Sequence, residues 1–423
     1  MYKLHLIIKY LRKRRIAWVS LIAVMLCTAM VLVVLSVMGG WLRMFRESFH
    51  GLSGDIIVTG QRLTGFAHYE RMIEEIEKLP EVEAAVPVIQ TFGLININNQ
   101  RSNGVQVMGV PIDRIGLVNR FPQSLYRQHQ RYADALERGD ATAEERMALG
   151  LAAVPADADA SLYPQRAAGE KGTPLSVEEK QRLRALADAG ETPSFKLPFP
   201  PDAYRNRFPE ARNDPSEWPG MIVGAGVIDI RKDTEGNITG REEWKLKLPV
   251  TLTIPRISEA TGQLDRDVAA VQHYWMVDDS RTQIWQYDTN TVYVPFDVVQ
   301  RDLRMDAQKY KDKESGRQMT EPARTNELHV KVRAGHDMYA VLPKVQAAVR
   351  TVQADARSDD REQFLVGLGD DLLVQTWEQQ QARYISAIEN EVSLVTTLFG
   401  FISIVAVFLI FCIFYMIVVE KTR

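Results

Sequence analysis

The sequence predicts a membrane protein of the α+β class, with two transmembrane helices flanking a large mixed α+β extracytoplasmic domain. Three observations carry that expectation. Ile16 to Val37 is a run of 22 residues without a charged side chain, and Leu394 to Val419 is a second run, of 26. At about 1.5 Å of rise per residue, each exceeds the roughly 30 Å hydrocarbon core of a bilayer. The chain as a whole is 25% charged with a net charge of -3, so these two ends stand apart from a polar middle.

A buried helix of a soluble protein rarely stays apolar on every face over such a length. Orientation follows from the basic residues. Lys3, Lys9, Arg12, Lys13, Arg14 and Arg15 precede the first run, and Lys421 and Arg423 follow the second. Beyond the first run stand only Arg43 and Arg46, with Glu47 beside them. The positive-inside rule then puts both termini in the cytoplasm and residues about 38–393 outside. A cleaved signal peptide is the alternative for the first run, but its apolar stretch exceeds the usual roughly 7–15 residues and Ser36–Gly40 is a poor cleavage site. Residues 1–15 read as a cytoplasmic amphipathic N-terminus, with Leu4, Ile7, Ile8 and Leu11 on one face. In the second run Ser393, Thr396, Gly400, Ser403 and Ala406 form a seam of small residues, which lets a helix approach closely.

Outside the spans 16–37 and 394–419 and the N-terminus, the chain divides into five segments, four between the spans and one after the second. Residues 38–122 combine a stalk with the first part of the outer domain. Residues 123–218 form a flexible polar insertion, 219–373 the second part of the domain, 374–393 a second stalk, and 420–423 the start of a cytoplasmic coupling region. GDIIVTG (54–60) reads as a strand, 68–82 as a helix and AAVPVI (84–89) as a strand. Phe92–Ile97 and Val105–Val110 read as two further strands, with turn chemistry at Asn98, Asn99 and Gly104. The insertion is poor in branched apolar residues and rich in Ala, Pro and Asp, which suits a domain surface. From Met221 strands resume, followed by helices over 297–305 and 337–350. Strands mixed with few helices indicate an α+β domain, or two such lobes.

Several motifs then fall into order. Thr376-Trp377-Glu378, Ala387-Ile388-Glu389-Asn390-Glu391 and Val418-Val419-Glu420-Lys421-Thr422-Arg423 resemble the entry and exit of the second span in the FtsX/MacB-like ABC transporter permeases. The closest likeness is to the lipoprotein-releasing (Lol) permease subunits. VLSVMGGWLRMF (34–45) is similar to that subgroup's first helix, with Gly39 where its members commonly carry Asn. Residues 221–226, 248–253 and 291–305 sit in the expected order. The resemblance implies a MacB-like periplasmic core with two lobes in the bacterial inner membrane. It also implies a coupling helix and two further spans beyond Arg423, so this chain is expected to be a fragment or half of a split subunit. The implied partners are a separate ABC ATPase that binds ATP and Mg, a second permease copy or paralogue, and possible lipoproteins with a periplasmic chaperone. An acylated substrate would meet Val37, Met38, Trp41, Met44, Phe45, Leu394, Leu398 and Phe401, unless these only face lipid or neighbouring helices. Gly39, Gly40, Trp377, Glu378, Glu420, Lys421 and Arg423 would serve the stalks and the coupling. The alternatives within the resemblance are MacB-like efflux and FtsX-like regulation of a cell-wall hydrolase.

No enzyme is expected. The sequence has no G-x-x-x-x-G-K-[ST] loop and no H-E-x-x-H pair. Its histidines are scattered, and no nucleophile, base and acid can be grouped. Cys27 and Cys412 each lie in an apolar run, so a disulfide scaffold is excluded from the middle. Asp278-Asp279, Asp359-Asp360 and Asp370-Asp371 read as solvated turns rather than a cation site, since neighbouring side chains on a strand point to opposite faces. No metal and no nucleic-acid partner is expected.

Overall fold

The computed structural model describes residues 15–62, 64–97, 101–152, 172–189, 193–195, 217–228, 231–232, 238–239, 249–257, 264–282, 284–311, 318–358 and 372–422. The chain forms two compact units: Met1–Glu47 with Glu378–Arg423, and Ser48–Trp377. Helix α1 runs Arg15–Leu52. The elements that build the second unit then follow in chain order: β1 (Ile56–Thr59), α2 (Tyr69–Glu77), β2 (Val82–Ile97), β3 (Arg101–Val110), α3 (Arg131–Arg138), α4 (Val177–Ala189), β4 (Gly220–Gly224), β5 (Pro249–Ile257), β6 (Leu264–Ser280), β7 (Thr291–Pro295), α5 (Phe296–Asp302), β8 (Glu327–Val332), α6 (Met338–Ser358) and β9 (Leu373–Thr376). Helix α7, Ala382–Thr422, closes the described chain.

Among the described residues the main sheet has nine strands in the order β5-β6-β4-β7-β3-β2-β8-β1-β9, and β5 also bonds to β2. That extra pairing closes six strands into a ring. Inward positions alternate with outward ones, as the two-residue period of a strand requires. Val105 and Val107, Met221 and Val223, Val250 and Leu252, and Val292 and Val294 fill one core inside the ring. Their neighbours Met108, Ile222, Val277 and Tyr293 turn outward and pack with Ile115, Phe121 and Leu125. Gly93 lies where the ring closes. A Cβ there would come within 3.1 Å of Leu252 Cδ1, Thr253 O and Val107 Cγ2, so glycine allows β5 to approach.

The remaining four strands, β2-β8-β1-β9, pair antiparallel throughout. The chain reads β1-α2-β2, then the ring, then β8-α6-β9. Each parallel pair is split by one strand of the other, which is the split βαβ arrangement of ferredoxin-like domains. Ile73 and Ile76 of α2 and Val341, Val345 and Val349 of α6 cover Ile56, Val58, Leu328, Val330 and Val374 on one sheet face.

The first unit holds the two long helices. Thr28–Leu52 and Ala382–Ile413 are long and apolar enough to cross a membrane, with mean hydropathies of 1.7 and 2.7. Along α7 the less exposed positions are Val392, Val395, Phe399, Ser403, Ala406 and Ile410. Arg46 of α1 pairs with Glu389 of α7.

Several expectations are corrected. Residues 84–97 form one uninterrupted strand rather than two, and Gly104 lies inside β3 rather than in a turn, while Asn98 and Asn99 fall outside the described residues. Residues 374–393, expected as one stalk, are not a continuous helix. Leu373–Thr376 is a strand because the outer edge of β1 is open to pairing, with Thr376 opposite Ile56 and Leu373 opposite Thr59. Of the small-residue seam, Ser403 and Ala406 lie on the less exposed line of α7, while Ser393, Thr396 and Gly400 are exposed. Part of the 123–218 segment packs. Leu125 is buried with Phe121, Val277 and Tyr293, and Tyr132, Ala135, Ala141, Leu149, Leu175 and Leu183 form a small core. Asp278 and Asp279 are buried, not solvated. The register slips between Met276 and Asp278, and the main-chain N–H groups of Arg127 and Gln128 donate to the two Asp278 oxygens at 2.7 and 3.1 Å. Burial, and then the neighbouring Asp279, push the Asp278 carboxyl up to about 7. The other two Asp pairs and the amphipathic N-terminus, apart from Arg15, lie outside the described residues.

Gly93→Val should separate β5 from β2, because the close approach has no room for a branched side chain. The expected loss is about 1–3 kcal/mol of stability. It is read as a lower urea midpoint with faster hydrogen exchange at Thr251–Thr253, and unchanged exchange there would contradict the closure.

Candidate functional site

The chain enters the globular unit at Ser48 and leaves it at Trp377, and the residues beside these two points meet at one residue, Asp55. The last turn of α1 carries Phe49 and His50. Phe49 is 4% exposed and meets the Tyr287 ring edge-on at a centroid distance of 5.7 Å. The helix ends with orphan carbonyls, as every helix does. Here the Arg120 N–H donates to Gly51 O at 2.6 Å and Asn119 Nδ2 donates to Leu52 O at 2.9 Å. The 3₁₀ turns around Ile115–Ser124 therefore cap the helix from outside it.

Directly after this cap, Gly54 passes so close to β8 that a Cβ would sit 2.9 Å from both Val330 N and Val330 O. Asp55 then turns its carboxylate back toward the helix. His50 Nε2 donates to Oδ1 at 2.5 Å, Lys331 Nζ to Oδ1 at 3.2 Å, and the Val332 N–H to Oδ2 at 2.7 Å. The main chain of Asp55 is engaged as well, since its N–H donates to Val330 O at 2.9 Å and its carbonyl accepts the Trp377 N–H at 3.1 Å. The Trp377 ring stacks on His50, with centroids 5.2 Å apart and planes 24° apart. One residue thus joins the end of α1, strand β8 and the exit at Trp377.

Burial alone would push the Asp55 carboxyl up. The His50 hydrogen bond, the Val332 N–H and the Lys331 charge outweigh it and hold the group below the ordinary carboxylate value. Such a group works as a fixed anion that organises donors. Among the described residues no group of three His, Cys, Asp or Glu could hold a metal ion.

The sequence-predicted residues distribute as follows. Val37, Trp41 and Met44 lie exposed on one face of α1, and Met38 is less exposed. The helix passes through Phe45, whose side chain is not described. Leu394, Leu398 and Phe401 are exposed on one face of α7, away from its less exposed line. Gly39 and Gly40 continue α1 without a break, with nothing within 4 Å of a Cβ at either. Trp377 is buried at 5% exposure rather than forming an outer stalk, and Trp377–Gln380 is a short helix set off from α7 by a turn at Gln381. Glu420 and Lys421 fall in the last turn of α7, and Arg423 lies outside the described residues. Sequence reasoning missed His50, Asp55 and Lys331. The one signal available was an acid placed directly before the apolar run Ile56–Val58.

Residues 17–150 match the family model of the MacB-like periplasmic core domain. The match is to the periplasmic core domain that the FtsX/MacB-like resemblance implies, and it continues into the stretch 123–218 that the motif order left out. No curated protein matches the chain. Among solved structures, the crystal structure of the periplasmic region of MacB from Actinobacillus actinomycetemcomitans is similar at 8% identity with a TM-score of 0.31, over 79% of this chain and 94% of that one.

Asp55→Ala should remove three side-chain hydrogen bonds, two of them from a lysine and a histidine. The expected cost is about 2–3 kcal/mol at neutral pH, read by chemical unfolding of the whole chain. Because the folded-state value is lowered, the contribution of Asp55 is complete above its ordinary value. It fades as pH falls through the still lower folded value. The difference between the native chain and Asp55→Ala should therefore be flat from pH 7 to 5 and shrink only below about 4. A difference that vanished by pH 6 would refute the assignment.

Proposed function

We propose, for a chain of the FtsX/MacB-like ABC transporter permease family with a MacB-like periplasmic core domain over residues 17–150, that it is the membrane subunit of an ABC transporter. Cytoplasmic ATP hydrolysis by a partner is coupled to motion of the periplasmic domain, and the cargo is a lipoprotein released from the inner membrane. The observation that carries this reading is the unbroken helix Arg15–Leu52. The same helix holds a long apolar stretch at one end and the socketed Phe49 and His50 at the other. Its 38 residues extend about 57 Å, against roughly 30 Å of hydrocarbon. The excess is a stalk in which a displacement at the inner end reaches the socket without an intervening loop.

In this reading α1 and α7 span the inner membrane with both chain ends in the cytoplasm, as the basic flanks favour. The partner ATPase supplies ATP and Mg. Its cycle shifts the outer domain between two packings, a change of population rather than chemistry in this chain. Val37, Trp41, Met44, Leu394, Leu398 and Phe401 offer apolar faces for acyl chains. Lipoprotein release is favoured by the likeness of VLSVMGGWLRMF (34–45) to the first helix of the lipoprotein-releasing subgroup. Efflux, or control of a cell-wall hydrolase, would announce itself through a co-purifying outer-membrane channel or hydrolase.

Two tests follow. A cysteine at Thr422 should be shielded from an impermeant thiol reagent in intact cells, whereas one at Ala354 should label once the reagent has crossed the outer membrane. Labelling of Thr422 from outside would end the two-span topology. In a transporter carrying all its spans, a Gly-Gly-Ser insertion after Glu378 should leave ATPase binding intact and lower lipoprotein release at least tenfold. Release at the normal rate would reduce the outer domain to a passive platform.

A further inference from the structure

Within the globular unit an unbroken run of contacts leads from the end of α1 to the segment inserted between β3 and β4. Tyr132 and Ala135 of α3 and Leu183 of α4 pack with Ala141, Leu149 and Leu175, so this segment has a core of its own. Residues on either side of that core are gathered by one side chain. Gln128, 4% exposed, donates from Nε2 to Ser194 O at 3.1 Å and accepts the Ser194 N–H on Oε1 at 2.7 Å. The Gln128 N–H goes to Asp278 Oδ2. Entry to the module, exit from it and the end of β6 therefore meet at the turn Tyr126–Gln130.

At the far end of the run Phe49, in the last turn of α1, meets the Tyr287 ring. Tyr287 lies on the short helix Trp285–Asn290, and two routes lead from it to the turn. The first is apolar. Tyr287 and Phe195 both pack against the core that holds Phe121, Leu125 and Tyr293, and Leu125 directly precedes Tyr126. The second is polar. Asp288 Oδ1 accepts both the N–H and the Oγ1 hydroxyl of Thr282, at 2.8 Å each. The Arg281 N–H beside it donates to Ser124 O at 2.8 Å. The Arg281 guanidinium is held by the Asp279 carboxylate at 2.7 Å and lies over the Tyr126 ring at 3.4 Å. Asp279 is buried, so drawing Arg281 away would leave a buried anion unpaired, a strongly destabilising change. A shift of Tyr287 is for that reason not absorbed by side-chain rotation alone.

We propose that the docking of the inserted module on the ring is coupled to the seating of Phe49 against Tyr287, so that the end of α1 sets how firmly the module is held. Coupling between two places needs an element with two arrangements. Here that element is the turn Tyr126–Gln130, bonded to Asp278 or locally opened from it. The inference rests on contacts within the globular unit and does not depend on the transport reading.

The test is hydrogen exchange by mass spectrometry on the full-length chain. Phe49→Ala should speed exchange in peptides covering Tyr126–Gln130 at least threefold, with peptides from Val341–Val349 of α6 at the native rate. Coupling is reciprocal, so Gln128→Ala should speed exchange at Tyr287 and Asp288, whose N–H groups both bond to Ile284 O. A native rate at Tyr126–Gln130 in Phe49→Ala would overturn the proposal, as would a Gln128→Ala effect that stops short of Tyr287. If Phe49→Ala also speeds Val341–Val349, its loss is global. Phe49→Leu and Thr282→Val, which keep the bulk of the core, are then read by the same criterion. Uniform acceleration in those two variants as well would count against the route.

Discussion

The architecture depends on one strand that must satisfy two sets of neighbours. Strand β2 is 16 residues long. Residues 82–88 pair with β8, and residues 89–97 pair with β3 and, at the far end, with β5. Its first half is buried on both faces, with Ala85 in the core under the helices and Ala84, Val86 and Val88 in the core behind. The edge of that half away from β8 is closed by side chains. The Ala85 N–H donates to Glu77 Oε1 at 3.1 Å, and Arg114 Nη2 donates to Ala85 O at 3.5 Å. Residues of one parity face that edge, so Pro87, two places on, loses its N–H where no strand needs it. A proline in a long strand is here a marker of the free edge, and it lets one strand leave the helix-covered layer and enter the ring.

Asp55 holds the strand at the other side of β8. Strand β1 is only four residues long, too short to hold its place by ladder hydrogen bonds alone. It is fixed instead by pairing on both sides, with β8 and β9, and by the carboxylate that precedes it. A buried anion is costly unless its donors are complete. Asp55 has donors from a helix end, a strand side chain and a strand N–H, so displacing any of them exposes the cost. That holds Asp55 in one place within the globular unit.

The second buried acid answers a different demand. Asp278 receives the first N–H groups of the helical turn Tyr126–Gln130, while Asp279 pairs with Arg281 at 2.7 Å. The Arg281 guanidinium in turn lies over the Tyr126 ring at 3.4 Å. The start of the 123–218 segment is thereby anchored to the ring by a buried polar network. Such a network specifies one docking geometry where a greasy contact would allow several.

By itself the sequence determined the features written in local pattern. These are the two long apolar helices, the strands Ile56–Thr59, Gly220–Gly224, Thr291–Pro295 and Glu327–Val332, the helices Tyr69–Glu77, Phe296–Asp302 and Met338–Ser358, and a family resemblance carried by motifs in order. Each depends on a few consecutive residues whose burial or period is the same wherever the chain goes. Only the tertiary structure decided that β2 is one strand shared by two layers, that six strands close on themselves at Gly93, and that Val374–Thr376 is strand rather than stalk. It also decided that Asp55 and Asp278 are buried. An acid beside an apolar run looks alike in a solvated turn and in a core, because some of its donors (Lys331 for Asp55, Arg127 for Asp278) lie more than a hundred residues away along the chain. Pairing energy and polar satisfaction are set by partners that only the folded chain brings together.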